Sequence, residues 1–239
     1  MLKPTDPDNF RRSLAGLCLI TAPPLQAASQ LTRITIEDGA ASEGELLARV
    51  AANTGLWNAL TIADMASVVL FVPAVLGLVH LLRSTAPVLS HLGGALALVG
   101  LLGAAGHNVF GFVLNSAMAG LSGERAAMVL LTEQIEKNPT FLVVLVMFVL
   151  GYVLGFILLA VGVFRARVAP RWAAIAVLVG MLAYSNAGSS LPLTAVAAAL
   201  LIVGLGTIGV TVLRMSDTAW RRPSSAVVEN TRPEPAAAV

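Results

Sequence analysis

Apolar runs at residues 13–36, 56–82, 87–118, 139–164, 172–187 and 192–213 alternate with short polar or basic segments along the chain. About 20 residues of helix cross a bilayer core, so this pattern predicts six transmembrane helices. The fifth run is short, and Pro23-Pro24 predicts a kink in the first. Two of the intervening segments have helical periodicity of their own. In residues 37–53, Ser42 and Glu45 have capping-box spacing, and Leu46, Leu47 and Val50 share one face. In residues 123–137, Met128, Leu131 and Ile135 repeat at helical spacing before Asn138-Pro139, a cap and first-turn pair for the next run. The predicted fold is therefore all-α: an integral membrane bundle of six transmembrane helices with two external amphipathic helices.

The polar residues 1–12 read as an N-terminal cytoplasmic segment, residues 13–215 as the six-helix domain, and residues 216–239 as a disordered cytoplasmic tail rich in Pro, Ser, Ala and Arg. The first run also has features of a signal peptide, with Gln26-Ala27-Ala28-Ser29 as a cleavage segment. It continues through Leu31 and Ile34, which favours a retained helix.

Composition moves the chain further from soluble proteins: 57% of its 239 residues are hydrophobic and 12% charged, with a mean hydropathy of +0.84. The single Cys18 excludes an intramolecular disulfide, and the three histidines form no metal-ligand motif, so no cofactor is expected. There is no cluster of basic residues of the kind that binds nucleic acid. Basic residues are nevertheless unevenly distributed. Lys3, Arg11, Arg12, Arg83, Arg165, Arg167, Arg171, Arg214, Arg221, Arg222 and Arg232 fall on one side of the six-span scheme. Arg33, Arg49, Arg125 and Lys137 fall on the other, which predicts cytoplasmic termini by the positive-inside rule. Heavy Ala, Val, Leu, Gly and Arg usage matches the coding habits of high-GC bacteria, and the bacterial inner membrane is the expected location.

The candidate chemistry lies in the second and third runs. Asp64 is the acidic residue inside an apolar run, seven residues beyond Trp57 and so roughly 10 Å deep. His107 lies eleven residues before Met118, roughly 16 Å from that helix end, and the two can share a depth. Gly100, Gly103, Ala104, His107 and Gly111 form a small-residue stripe, and the second run is its expected neighbour because short hairpins pair adjacent helices. A buried acid needs a partner, and His107 is the expected one. The pair could be neutral and able to transfer a proton, or charged and responsive to pH. Trp57, Asn58, Thr61, Asn108, Gly111, Asn115, Tyr184, Ser185 and Asn186 are the expected lining of a polar pocket around it. Gly151 and Gly155 read as a helix-packing GxxxG pair, and His80 and His91 as interfacial histidines rather than haem ligands.

The segment Arg12-Ser13-Leu14-Ala15-Gly16-Leu17, followed by a proline-bearing apolar helix, an external amphipathic segment and paired spans, resembles small bacterial multi-pass families of unassigned function. The resemblance implies fold and location only. Three functional classes stand open. The first is binding or passage of a small apolar or amphipathic molecule. The second is a lipid- or isoprenoid-processing enzyme with Asp64 and His107 as its catalytic acid-base pair. The third is a structural or sensing subunit of a membrane complex. Expected partners are membrane lipid, the small ligand, and a second copy of the chain or a larger membrane complex.

Overall fold

The computed structural model describes residues 6–121 and 125–221, and these are helical with no strand. Helix α1 (Pro7–Glu37) starts where the Asp6 carboxylate accepts the backbone N–H groups of Asp8 and Asn9, with Pro7 in the first turn. It continues through Pro23 and Pro24. Then come α2 (Glu43–Ala52) and α3 (Thr54–Leu82). Helix α4 (Pro87–Asn108) continues through a π-helical turn, Val109–Val113, into α5 (Leu114–Ala119). Beyond α6 (Arg125–Glu136), α7 (Pro139–Val146) passes through a second π turn, Met147–Gly151, into α8 (Tyr152–Ala166). Helices α9 (Arg171–Ser185), α10 (Leu191–Arg214) and α11 (Asp217–Arg221) complete the chain.

Four of these helical stretches are long and apolar enough to cross a membrane: Thr54–Leu82, Pro87–Ala119, Pro139–Ala166 and Leu191–Arg214. Helix α9 is apolar but has only 15 residues. Six helices close a ring in chain order, in which α1 packs on α3, α3 on α4, α4 on α8, α8 on α9, α9 on α10 and α10 back on α1. At its centre Phe71 meets Tyr152 and Phe156 edge-on, with ring centroids 6.0 and 5.4 Å apart. Such pairs add directional attraction to simple burial.

The glycine stripe of α4 faces the fourth apolar helix rather than α3. Gly100 lies against Gly151 and the Tyr152 backbone, Gly103 against Phe148, and Gly155 against Ala97. Gly151 and Gly155 therefore supply the other half of the seam, and two flat surfaces meet backbone to backbone. The stripe accepts this partner because both surfaces lack side chains, whereas α3 meets α4 through larger ones, with Val79 against Gly94. A Cβ at Gly100 would fall 2.5 Å from the Gly151 carbonyl carbon, where no flexible side chain can move aside. Gly100→Ala is expected to destabilise the protein by about 1–3 kcal/mol, read as a lower thermal midpoint in detergent. An unchanged midpoint would contradict this seam.

Both short amphipathic helices gather at the Glu37 end of the ring, with α2 touching α5 and α6. The N–H of Glu45 donates to the Ser42 hydroxyl, and the Glu45 carboxylate in turn accepts the Ala41 N–H, a variant of the capping box. That bond, together with Arg49, holds the Glu45 carboxyl below its ordinary range. The apolar face of α2 turns inward: Leu47 and Val50 are buried, and Val50 joins Trp57 and Ala119 in a small satellite core. Trp57, placed by its sequence position at a lipid interface, is fully buried there. Its indole N–H donates to the Phe112 carbonyl at 2.9 Å, within the first π turn.

The expected disorder from residue 216 does not hold over its first turn. Helix α11 docks on α1, and Trp220 is 1% exposed. Residues 222–239 lie outside the described residues, as do 1–5 and 122–124.

Candidate functional site

Asp64 is buried on α3, but its ionic partner is Arg33 of α1, 3.7 Å away, and not His107. Each residue is only 2% exposed. The sequence scheme placed Arg33 among external loop charges. Instead, α1 runs four residues beyond it and carries the guanidinium into the α1–α3 interface. There it is roofed by two rings, with its Cζ 4.8 Å from the Trp57 centroid and 3.1 Å from that of Phe112. An aromatic face attracts a desolvated cation, so the rings replace part of the lost hydration. Hydrogen bonding is incomplete: Nε and Nη1 of Arg33 and Oδ2 of Asp64 have no hydrogen-bond partner. Ser29, one turn before Arg33, lies 3.5 Å from Nη2 and donates its hydroxyl to the Leu60 carbonyl at 2.9 Å, tying α1 to α3.

His107 occupies a different environment. It stacks on Phe148 at 5.3 Å and meets Phe112 edge-on at 5.6 Å. Gly111 lies beside its ring, and a Cβ there would make an ordinary contact 3.8 Å from Cε1. No hydrogen bond or ion pair joins His107 to Asp64 among the described residues. A shared depth does not bring the two together: helix rotation turns Asp64 toward α1 and His107 toward Phe148 in the π turn before α8.

The remaining predicted residues separate. Thr61 donates its hydroxyl to the Trp57 carbonyl. Asn58 accepts from Ser116 at 2.6 Å, and Asn108 is buried. Asn115 lies on α5. Asn186 donates to the Leu182 carbonyl, closing the end of α9. The two histidines considered for haem do not face each other: His80 stacks on Trp220 at 4.4 Å, and His91 donates to the Pro87 carbonyl at 2.7 Å.

Of the predicted residues, Tyr184 and Ser185 line a cavity of about 390 Å³ at the Glu37 end of the ring. Its walls come from four elements. Helix α1 gives Gln30, Ile34 and Glu37; the second π turn and α8 give Phe148, Val149, Tyr152 and Val153; α9 gives Tyr184 and Ser185; and α10 gives Thr194. The loop 187–189 forms the rim, and Gly188 takes φ +52° there, a left-handed turn that favours glycine. The cavity shares Gln30, Tyr152, Tyr184 and Thr194 with a small void of about 20 Å³ at the ring centre. Beside that void the Tyr152 hydroxyl donates to Gln26 at 2.9 Å.

Sequence reading missed Gln26, Gln30, Arg33 and Glu37. Their spacing of four, three and four residues puts the four long polar side chains of the second half of α1 on one stripe, a legible signal. Burial pushes the Glu37 carboxyl above its ordinary range; Arg33 opposes this and Glu43 adds to it. Glu43 is raised in the same way by burial and by Glu136 across the α2–α6 contact.

The fold defines a class: an all-helical protein with four helices long and apolar enough to cross a membrane. No protein family, curated protein or solved structure matches the chain.

Proposed function

We propose that this chain is a six-span protein of the bacterial inner membrane that binds a small amphipathic molecule in the cavity between α1, α8, α9 and α10. The carrying observation is the cavity itself: about 390 Å³, with Ile34, Phe148, Val149 and Val153 as apolar wall and Gln30, Glu37, Tyr184 and Ser185 as polar groups. A concavity that joins an apolar wall to convergent polar groups suits an amphipathic molecule. In this reading α1 and α9 complete the six spans and both termini are cytoplasmic. Withdrawing Arg33 from the external loops leaves Arg49, Arg125 and Lys137 there, which strengthens the charge asymmetry. The cavity then opens toward the outer leaflet beneath α2 and α6. Arg33 and Asp64 act as a strut behind it. The separate environments of Asp64 and His107 favour binding over the acid-base enzyme.

The test is native mass spectrometry of the detergent-purified protein. The wild type is expected to release a bound small amphiphile, and Val153→Trp, which fills the cavity, to release several-fold less. His91→Ala, at the exposed start of α4 and outside the cavity lining, is expected to match the wild type. Equal release from Val153→Trp and wild type would overturn the cavity as the binding site.

A further inference from the structure

We infer that the ligand of this cavity is a lipophilic cation, an organic ammonium or phosphonium held by Glu37 and the rings of Phe148, Tyr152 and Tyr184. The inference rests on the binding reading above and adds the charge of the ligand to it.

The electrostatics around the cavity are one-sided. Arg33 faces Asp64, and Arg49 is paired with Glu45 at 2.8 Å. Glu37 has no cation within 4 Å among the described residues, although it lines the wall and is half-buried. It also stands in the last turn of α1, where the Arg49 guanidinium from α2 already donates to the Ile36 and Asp38 carbonyls and so meets the partial negative charge of the helix end. The Glu37 carboxylate itself is left without an ion pair, and a bound cation would supply one. The neighbouring ends of α9 and α10, one a C-terminus and the other an N-terminus, lie at the same rim and offset each other. Phe148, Tyr152 and Tyr184 line the same wall, and aromatic rings attract cations. An anion would meet Glu37 directly, while Arg33, the nearest cation of α1, is already engaged by Asp64.

The experiment measures binding to the full chain in detergent by equilibrium dialysis against protein-free micelles, with three probes of similar aromatic bulk. These are tetraphenylphosphonium, neutral triphenylphosphine oxide and tetraphenylborate. Tetraphenylphosphonium is expected to bind at least about tenfold more tightly than either of the others. Glu37→Gln is expected to remove most of that preference. Phe148→Leu is expected to weaken the phosphonium more than the neutral oxide, and it keeps the inference testable if Glu37→Gln does not fold. Equal wild-type affinity for phosphonium and oxide, with both lost in Val153→Trp, would overturn cation selectivity while leaving the cavity as a binding site. Binding of every probe unchanged in Val153→Trp would overturn both. A wild-type phosphonium preference that survives both Glu37→Gln and Phe148→Leu would overturn the assignment to these side chains.

Discussion

Asp64→Leu and Arg33→Met, made singly, are each expected to destabilise the protein by about 3–5 kcal/mol, while the double replacement recovers most of that loss. The sign follows from burial. Each residue is 2% exposed, so removing either one strands the other charge in a low-dielectric interface with no replacement partner. Removing both eliminates the desolvation cost along with the attraction. The 3.7 Å separation and the unpartnered Asp64 Oδ2 and Arg33 Nε and Nη1 strengthen this expectation, because the pair lacks the hydrogen bonds that would repay dehydration. Arg33→Lys tests the aromatic roof separately. It keeps a charge near Asp64 but gives up the planar stacking over Phe112 and Trp57, and a smaller loss is expected. The measurement is the unfolding midpoint of all four variants, combined as a double-mutant cycle. A double variant as damaged as the sum of the singles would show that the two charges are not coupled.

Asp64 marks where sequence reasoning carried and where it stopped. The cost of an acid in an apolar run announced a buried partner, and the hydrophobic periods located the helices that hold it. Choosing the partner required helix rotation. Counting Arg33 with the external charges, although it lies inside the 13–36 run, leaves His107 as the nearest base; α1 instead carries the guanidinium to Asp64. The glycine seam shows a similar limit. A small-residue stripe on α4 and a GxxxG pair in the fourth run were both visible, but nothing in one-dimensional spacing said that they face each other. The cavity was harder to see, because four elements distant in sequence line it and only Tyr184, Ser185 and the α1 stripe signalled it.

Trp220→Ala is expected to release α11 from the ring at a cost of up to about 3 kcal/mol, expressed at the C-terminal end rather than through the whole bundle. Trp220 is 1% exposed and lies across His80, whose Nε2–H donates to the Trp220 carbonyl at 2.9 Å. Gly77 of α3 lets Ala15 of α1 approach, since a Cβ there would collide with the Ala15 Cβ, and the indole packs beside this contact. Polar contacts fasten the same turn to the start of α1. Arg12 donates to the Leu213 and Met215 carbonyls and pairs with Asp217 at 3.1 Å, and Arg221 meets Asp8 at 2.6 Å. The exposed Arg221 pair contributes little on its own, so the indole is expected to dominate. Limited digestion with an arginine-specific protease reads the result at Arg214 and Arg221. Wild-type protein should resist cleavage at Arg214, and Trp220→Ala should be cut there many times faster while the thermal midpoint of the ring falls less than in Asp64→Leu. The order of the two variants matters as much as the cleavage. If Trp220→Ala lowers the midpoint as far as Asp64→Leu does, α11 is part of the cooperative core rather than a clasp on its surface. If cleavage at Arg214 is equally fast in the wild type, the clasp does not hold in solution.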